Sequence, residues 1–157
     1  MDKVILRKAN PDDIDLLIQL RIDYLTEDLG SLTQDETSAI IKQLSEYFPK
    51  AISDISFIAI LAEINGTVVS AAFLVISKRP ANPSFITGVT GTLLNVITYP
   101  EYRRKGIATK VIEKIINESK KEGVSSIDLM ATEDGKDLYE KMGFVVSKYT
   151  AMGLKLV

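Results

Sequence analysis

Three consecutive cations stand directly before Gly106 in the run Tyr99-Pro100-Glu101-Tyr102-Arg103-Arg104-Lys105-Gly106-Ile107-Ala108-Thr109. An apolar segment interrupted by Asn95 precedes this run. After it Ile107, Ala108, Val111, Ile112, Ile115 and Ile116 recur at helical spacing. A strand therefore enters a basic turn and a helix leaves it. Pro100 fits the strand's end, because it fixes its own φ and biases Tyr99 away from helix. Gly106 fits the turn, because a residue without a Cβ lets a ligand approach the backbone. The first turn of a helix leaves N–H groups unpaired and carries a partial positive charge. Together with the three cations, those groups suit a phosphate or pyrophosphate.

A second candidate lies in Asp137-Leu138-Tyr139-Glu140-Lys141-Met142-Gly143-Phe144. A phenol with a pKa of about 10 can donate a proton to a leaving group of similar basicity, such as a thiolate. The competing reading of Tyr139 is an amphipathic ring packed at a helix edge. The chain has no Cys and no His. Thiolate nucleophiles, disulfides, Ser-His-Asp triads and the commonest zinc sites are thereby excluded, and no metal site is expected. Catalysis must use carboxylates, Tyr, Lys, Ser or Thr, water and backbone dipoles, and so would position two substrates for direct reaction. Other phosphate motifs fail: Gly135-Lys136 continues with Asp137 rather than Ser or Thr, and no Gly-x-Gly-x-x-Gly run exists.

At 157 residues the chain reads as one domain, 1–157. Its 46% hydrophobic and 25% charged residues are ordinary for a globular protein. A net charge of −2 argues against nucleic acid as a partner while leaving room for a small anion at residues 103–105. No apolar run approaches the roughly 18 residues of a membrane span, so no membrane partner is expected. Met1-Asp2-Lys3-Val4 lacks signal-peptide architecture, so a cytoplasmic location is the expectation.

The elements that must hold these groups follow in order. A first strand covers 4–9. Asn10, Pro11, Asp12 and Asp13 start a helix, with Ile14, Leu17, Ile18, Arg21, Ile22 and Leu25 on its apolar face and Gly30 at its end. Thr33 and Glu36 form a capping box for a second helix that ends before Pro49. Glu27 and Asp28 read as solvated loop charges between them. Strands at 55–63 and 67–77 flank Asn65-Gly66, a strong hairpin signal. A loop at 78–83 precedes a strand at 88–98, then the basic turn and a helix from about 104 to 121 closed by Gly123. A strand at 126–131, a short helix at 137–142 ended by Gly143, and strands at 144–147 and 151–156 complete the chain. The fold class is α/β with a mixed sheet, about seven strands and about four helices. The strands at 88–98 and 126–131 are joined through a helix and should be parallel, with ligands at their carboxyl ends.

Tyr-Arg-Arg-Lys-Gly-Ile-Ala after an Asn-containing strand, with Leu-Tyr-Glu-Lys-Met-Gly-Phe downstream, resembles the GNAT superfamily of acetyl-CoA-dependent N-acetyltransferases. The first strand and Asp-rich helix start, the Asn65-Gly66 hairpin and the element order carry the resemblance over nearly the whole chain. It implies the GNAT acyltransferase fold and acetyl-CoA as co-substrate. It implies that backbone amides of Arg103, Arg104, Lys105, Gly106, Ile107, Ala108 and Thr109 cradle the pyrophosphate. Leu94, Asn95 and Val96 match the strand that pairs with the pantetheine arm, and the amide of Val96 would polarise the thioester carbonyl. Tyr139 matches the residue that protonates the departing thiolate, and Asn95 and Tyr139 are the catalytic candidates, with the chemistry expected between them.

The family's strand glutamate has no counterpart at 88–98. A water chain, or a carboxylate such as Glu27, Asp28, Glu63 or Asp128, could serve as base, though each carboxylate reads better as an exposed charge. The activity implied is acetyl transfer to a primary amine by direct attack in a ternary complex. A coenzyme-A-binding sensor on the same fold is the alternative. The acceptor, a small-molecule or peptide amine, is expected between residues 22–36 and the 78–88 loop, and a homodimer is an expectation of the resemblance alone.

Overall fold

Asn10 caps the first helical turn as expected. Its side chain accepts from the Asp12 amide at 2.8 Å, and the Asp13 carboxylate returns a bond from the Asn10 amide at 2.8 Å. In the computed structural model, which describes residues 2–157, the chain begins with β1 (Val4–Lys8). It continues through α1 (Ile14–Leu29) and α2 (Gln34–Ser53). Then come β2 (Phe57–Ile64), β3 (Thr67–Lys78), β4 (Val89–Thr98), α3 (Ile107–Lys121), β5 (Ser126–Leu129) and α4 (Glu133–Lys141). The Thr33–Glu36 capping box is closed in both directions. Among the described residues, no helix is long and apolar enough to cross a membrane.

The strands form one sheet in the order β1-β2-β3-β4-β5. The first four are antiparallel, and β4 pairs parallel with β5 as the connecting helix requires. Alternation along β2 splits the core into two layers. Phe57, Ala59 and Leu61 pack under α1 and α2 with Leu17, Leu20 and Phe48. Ile58, Ile60 and Ala62 pack under α3 with Val111, Ile112 and Ile115. A strand buried on both faces loses the polar alternation of a surface strand, which is why β2 and β3 read as nearly continuous apolar runs.

The structure departs from the sequence reading at several points. α1 ends at Leu29 before Gly30 as expected, but Glu27 and Asp28 belong to its last turn rather than to a loop. α2 continues through Pro49 to Ser53, because burial of Phe48 and Ala51 under the sheet holds a last turn that proline alone would end. α4 starts four residues early, at Glu133, where the Thr132 hydroxyl accepts from the Gly135 amide at 3.2 Å. The two final strands, 144–147 and 151–156, are not formed. Residues 144–157 carry no regular structure, and Met152, Leu154 and Leu156 stay 93%, 84% and 85% exposed. Their alternation is real, but a strand also needs a partner edge. The sheet therefore has five strands rather than about seven, with four helices.

Candidate active site

β4 is interrupted where Asn95 interrupts its sequence. Ala71 pairs with Ile97 and Phe73 with Leu94, so two steps along β3 face three along β4. The extra residue makes a β-bulge, and Asn95 takes a left-handed φ of 55°. The bulge puts Leu94 and Asn95 toward α1 while Val96 packs on the α3 and α4 side. Pairing between β4 and β5 stops at Leu93 and Leu129. Beyond that point residues 94–98 of β4 pair with no strand on the β5 side among the described residues. The Asn95 side chain, 1% exposed, is occupied. Its amide nitrogen donates to the Leu20 carbonyl at 3.4 Å, and its oxygen accepts from Arg21 at 3.3 Å. It clamps the bulge to α1 rather than facing the open edge.

The basic turn follows at once. Pro100–Tyr102 make a single 3-10 turn, Arg104 has φ 61°, and Gly106 has φ 76° immediately before α3. No side chain caps α3, so the amides of Ile107, Ala108 and Thr109 open from its first turn. Left-handed residues next to a helix start turn successive N–H groups to one side, forming an anion-binding concavity. A Cβ on Gly106 would meet nothing within 4 Å, so only its φ demands glycine as far as the protein itself goes. The Arg103 side chain points back into the protein. Its Nε donates to the Thr98 carbonyl at 2.7 Å and its guanidinium pairs with Glu27. Arg104 and Lys105 are exposed, and Lys105 lies over the Tyr102 ring at 5.8 Å.

Tyr139 comes to the same sheet edge from α4. Its ring packs edge-on against Phe144, with centroids 5.9 Å apart at 71°. Burial raises the phenol above its usual pKa, and nearby Tyr24 on α1 adds to the shift. The hydroxyl therefore stays protonated through the neutral range. The residues singled out in the sequence thus fall into three adjoining pieces: the freed β4 edge, the α3 N-terminus and the Tyr139 phenol.

Two contributors went unrecognised in the sequence. α1 lays Arg21 and Tyr24 against β4, on the sheet face away from α3. Tyr99 donates to Asp23 at 2.6 Å, and burial together with that carboxylate holds its phenol far above the ordinary value. Arg21 lines a cavity of about 160 Å³ with Tyr47, Phe57, Phe73 and Leu94. The signal was a cation among the apolar positions of α1, between Leu17, Ile18, Ile22 and Leu25. Residues 22–36 and the 78–88 loop do not line this cavity; α2 does, through Gln43, Leu44, Tyr47 and Phe48. Three of the four base candidates are engaged elsewhere: Glu27 with Arg103, Glu63 with Arg7, and Asp128 with the Thr92 hydroxyl at 2.8 Å.

The model of the acetyltransferase (GNAT) family matches residues 18–144, from α1 through the Tyr139 helix to Phe144. A predicted acetyltransferase from Clostridium acetobutylicum, solved with acetyl-CoA, is similar over 96% of each chain, with a TM-score of 0.83 and 28% identity. A GCN5-related N-acetyltransferase from Ralstonia eutropha shares the fold over 97% of this chain and 99% of its own, with a TM-score of 0.80 and 21% identity. An uncharacterized N-acetyltransferase from Pyropia yezoensis is 27% identical over 78 residues, 45% of each protein, so the chain matches less than half the length of that curated relative. The chain belongs to the acetyltransferase (GNAT) family.

Proposed function

We propose that this protein moves an acetyl group from acetyl-CoA to a primary amine, by direct attack within a ternary complex. The observation that carries the reading is the parting of β4 from β5 after Leu93, between an uncapped α3 and Tyr139. The amides of residues 103–109 would take the pyrophosphate, and the freed edge at Leu94, Asn95 and Val96 would pair with the amide-bearing pantetheine arm. The Val96 amide would polarise the thioester carbonyl. The amine nitrogen attacks that carbonyl carbon, an N–C bond forms and the C–S bond breaks. Tyr139 gives its hydroxyl proton to the departing sulfur and regains one from water, while the attacking nitrogen loses its proton to solvent. Without Cys, no acyl-enzyme on sulfur intervenes.

Thiol release from acetyl-CoA over a panel of amines tests this reading, with Tyr139→Phe as control. Turnover with at least one amine, falling on the order of a hundredfold in Tyr139→Phe, is the expected result. Tight acetyl-CoA binding with no turnover for any amine would instead favour a coenzyme-A-binding sensor.

A further inference from the structure

Arg21 is a half-buried cation that forms no ion pair among the described residues. Arg7 pairs with Asp13 and Glu63, and Arg103 with Glu27. Arg21 makes no ion pair among the described residues, and its one hydrogen bond goes to the neutral Asn95 amide at 3.3 Å. Two acids of α1 are engaged elsewhere. Asp23 accepts from Tyr99 and Gln19, and Glu27 holds Arg103. Asp28 is exposed at the helix end. Burial pushes the Arg21 guanidinium below its usual pKa, with Tyr24 and Asp28 partly offsetting it. A partly desolvated cation held by a single neutral amide is costly unless a counter-charge arrives. The cavity that Arg21 lines is otherwise aromatic and aliphatic, with Tyr47, Phe57, Phe73 and Leu94 around it. It adjoins Leu94 and the Asn95 bulge, next to the β4 edge where the thioester would lie.

We propose that the acceptor amine also carries a carboxylate, which pairs with the Arg21 guanidinium, and an apolar body that fills the aromatic cavity. The substrate class is thus an amino acid or an amine of that shape. A planar guanidinium binds a carboxylate through two parallel hydrogen bonds, which fixes orientation as well as charge. Anchoring the carboxylate there leaves the amine free to face the β4 edge. The proposal rests on the acetyl-transfer reading, and its test separates the two.

The decisive measurement uses non-reacting probes, 3-phenylpropionate and 4-methylpentanoate, titrated into wild type and Arg21→Gln by calorimetry or NMR. Glutamine keeps a donor for Asn95 and removes the charge, and equal melting temperatures establish an intact fold. Wild type should bind at least one probe about tenfold or more tightly than Arg21→Gln. Thiol release with phenylalanine against 2-phenylethylamine, and leucine against 3-methylbutylamine, should show the same preference through KM. Equal binding by both proteins overturns the carboxylate site, even if amines are acetylated. Probe binding lost in Arg21→Gln, with no turnover for any amine, keeps the anion site and sinks the acetyl-transfer reading.

Discussion

A Cβ placed on Gly135 would stand 3.0 Å from Cε2 of Tyr139 and 3.3 Å from the Thr132 hydroxyl oxygen. Gly135 is therefore the floor on which the tyrosine ring lies, one helical turn before it. Gly135→Ala should displace the ring by a few tenths of an ångström while raising helix propensity. The expected result is a fall of about tenfold in kcat with no loss of melting temperature. A full-rate enzyme would show that the Tyr139 position is not critical.

Gly106 and Gly123 share nearly the same backbone, φ 76° and 77°, and neither has an atom within 4 Å of a built Cβ. Alanine at either should cost about 1 kcal/mol of conformational strain. Only Gly106→Ala should also weaken coenzyme A binding, because only that Cβ enters the α3 anion site. Paired urea melts and calorimetric titrations with coenzyme A distinguish strain from lost binding.

Asn95 stabilises the bulge from inside. Asn95→Ala removes the second hydrogen bond to the Leu20 carbonyl, releases Arg21 and keeps a left-handed φ on a residue that disfavours it. A loss of about 2–3 kcal/mol is expected in chemical denaturation. Asn95→Gly should recover about 1 kcal/mol of it by relieving the φ strain alone.

Arg7 donates to both oxygens of Asp13, at 2.7 and 2.8 Å, and holds that carboxyl below the ordinary carboxylate range, with the Asn10 amide adding to the effect. A depressed folded pKa contributes stability above the unfolded value of about 4. That contribution disappears as pH falls through the folded value. Asp13→Asn should cost about 2 kcal/mol at neutral pH and flatten the acid limb of a stability–pH curve below about pH 4. An unchanged acid limb would mean that other carboxylates dominate acid unfolding.

Local chemistry made much of this protein legible in its residues. Asn10 and Thr33 cap helices through their own oxygens, Asn65-Gly66 turns a hairpin, and Gly106 follows three cations directly before a helix start. Each of these acts over a few residues, so spacing along the chain suffices to identify it. Pro49 misled because its cost is local while the burial of Phe48 and Ala51 that outweighs it is not.

Tertiary structure decided what depends on residues far apart. Asn95 stands out in the sequence as a polar break in an apolar strand. That it marks a bulge clamped by Leu20 and Arg21, some 75 positions away, follows only from packing α1 on β4. The same packing turns Arg21 from one more helix cation into the charged wall of a cavity. The alternation at residues 151–156 is written in the chain, but no strand forms there, because pairing depends on a second segment that spacing alone does not supply. The basic run at residues 99–109 is legible in the sequence as a group suited to an anion. Only the parting of β4 from β5 after Leu93 adds an extended edge beside it, because strand separation depends on two segments at once.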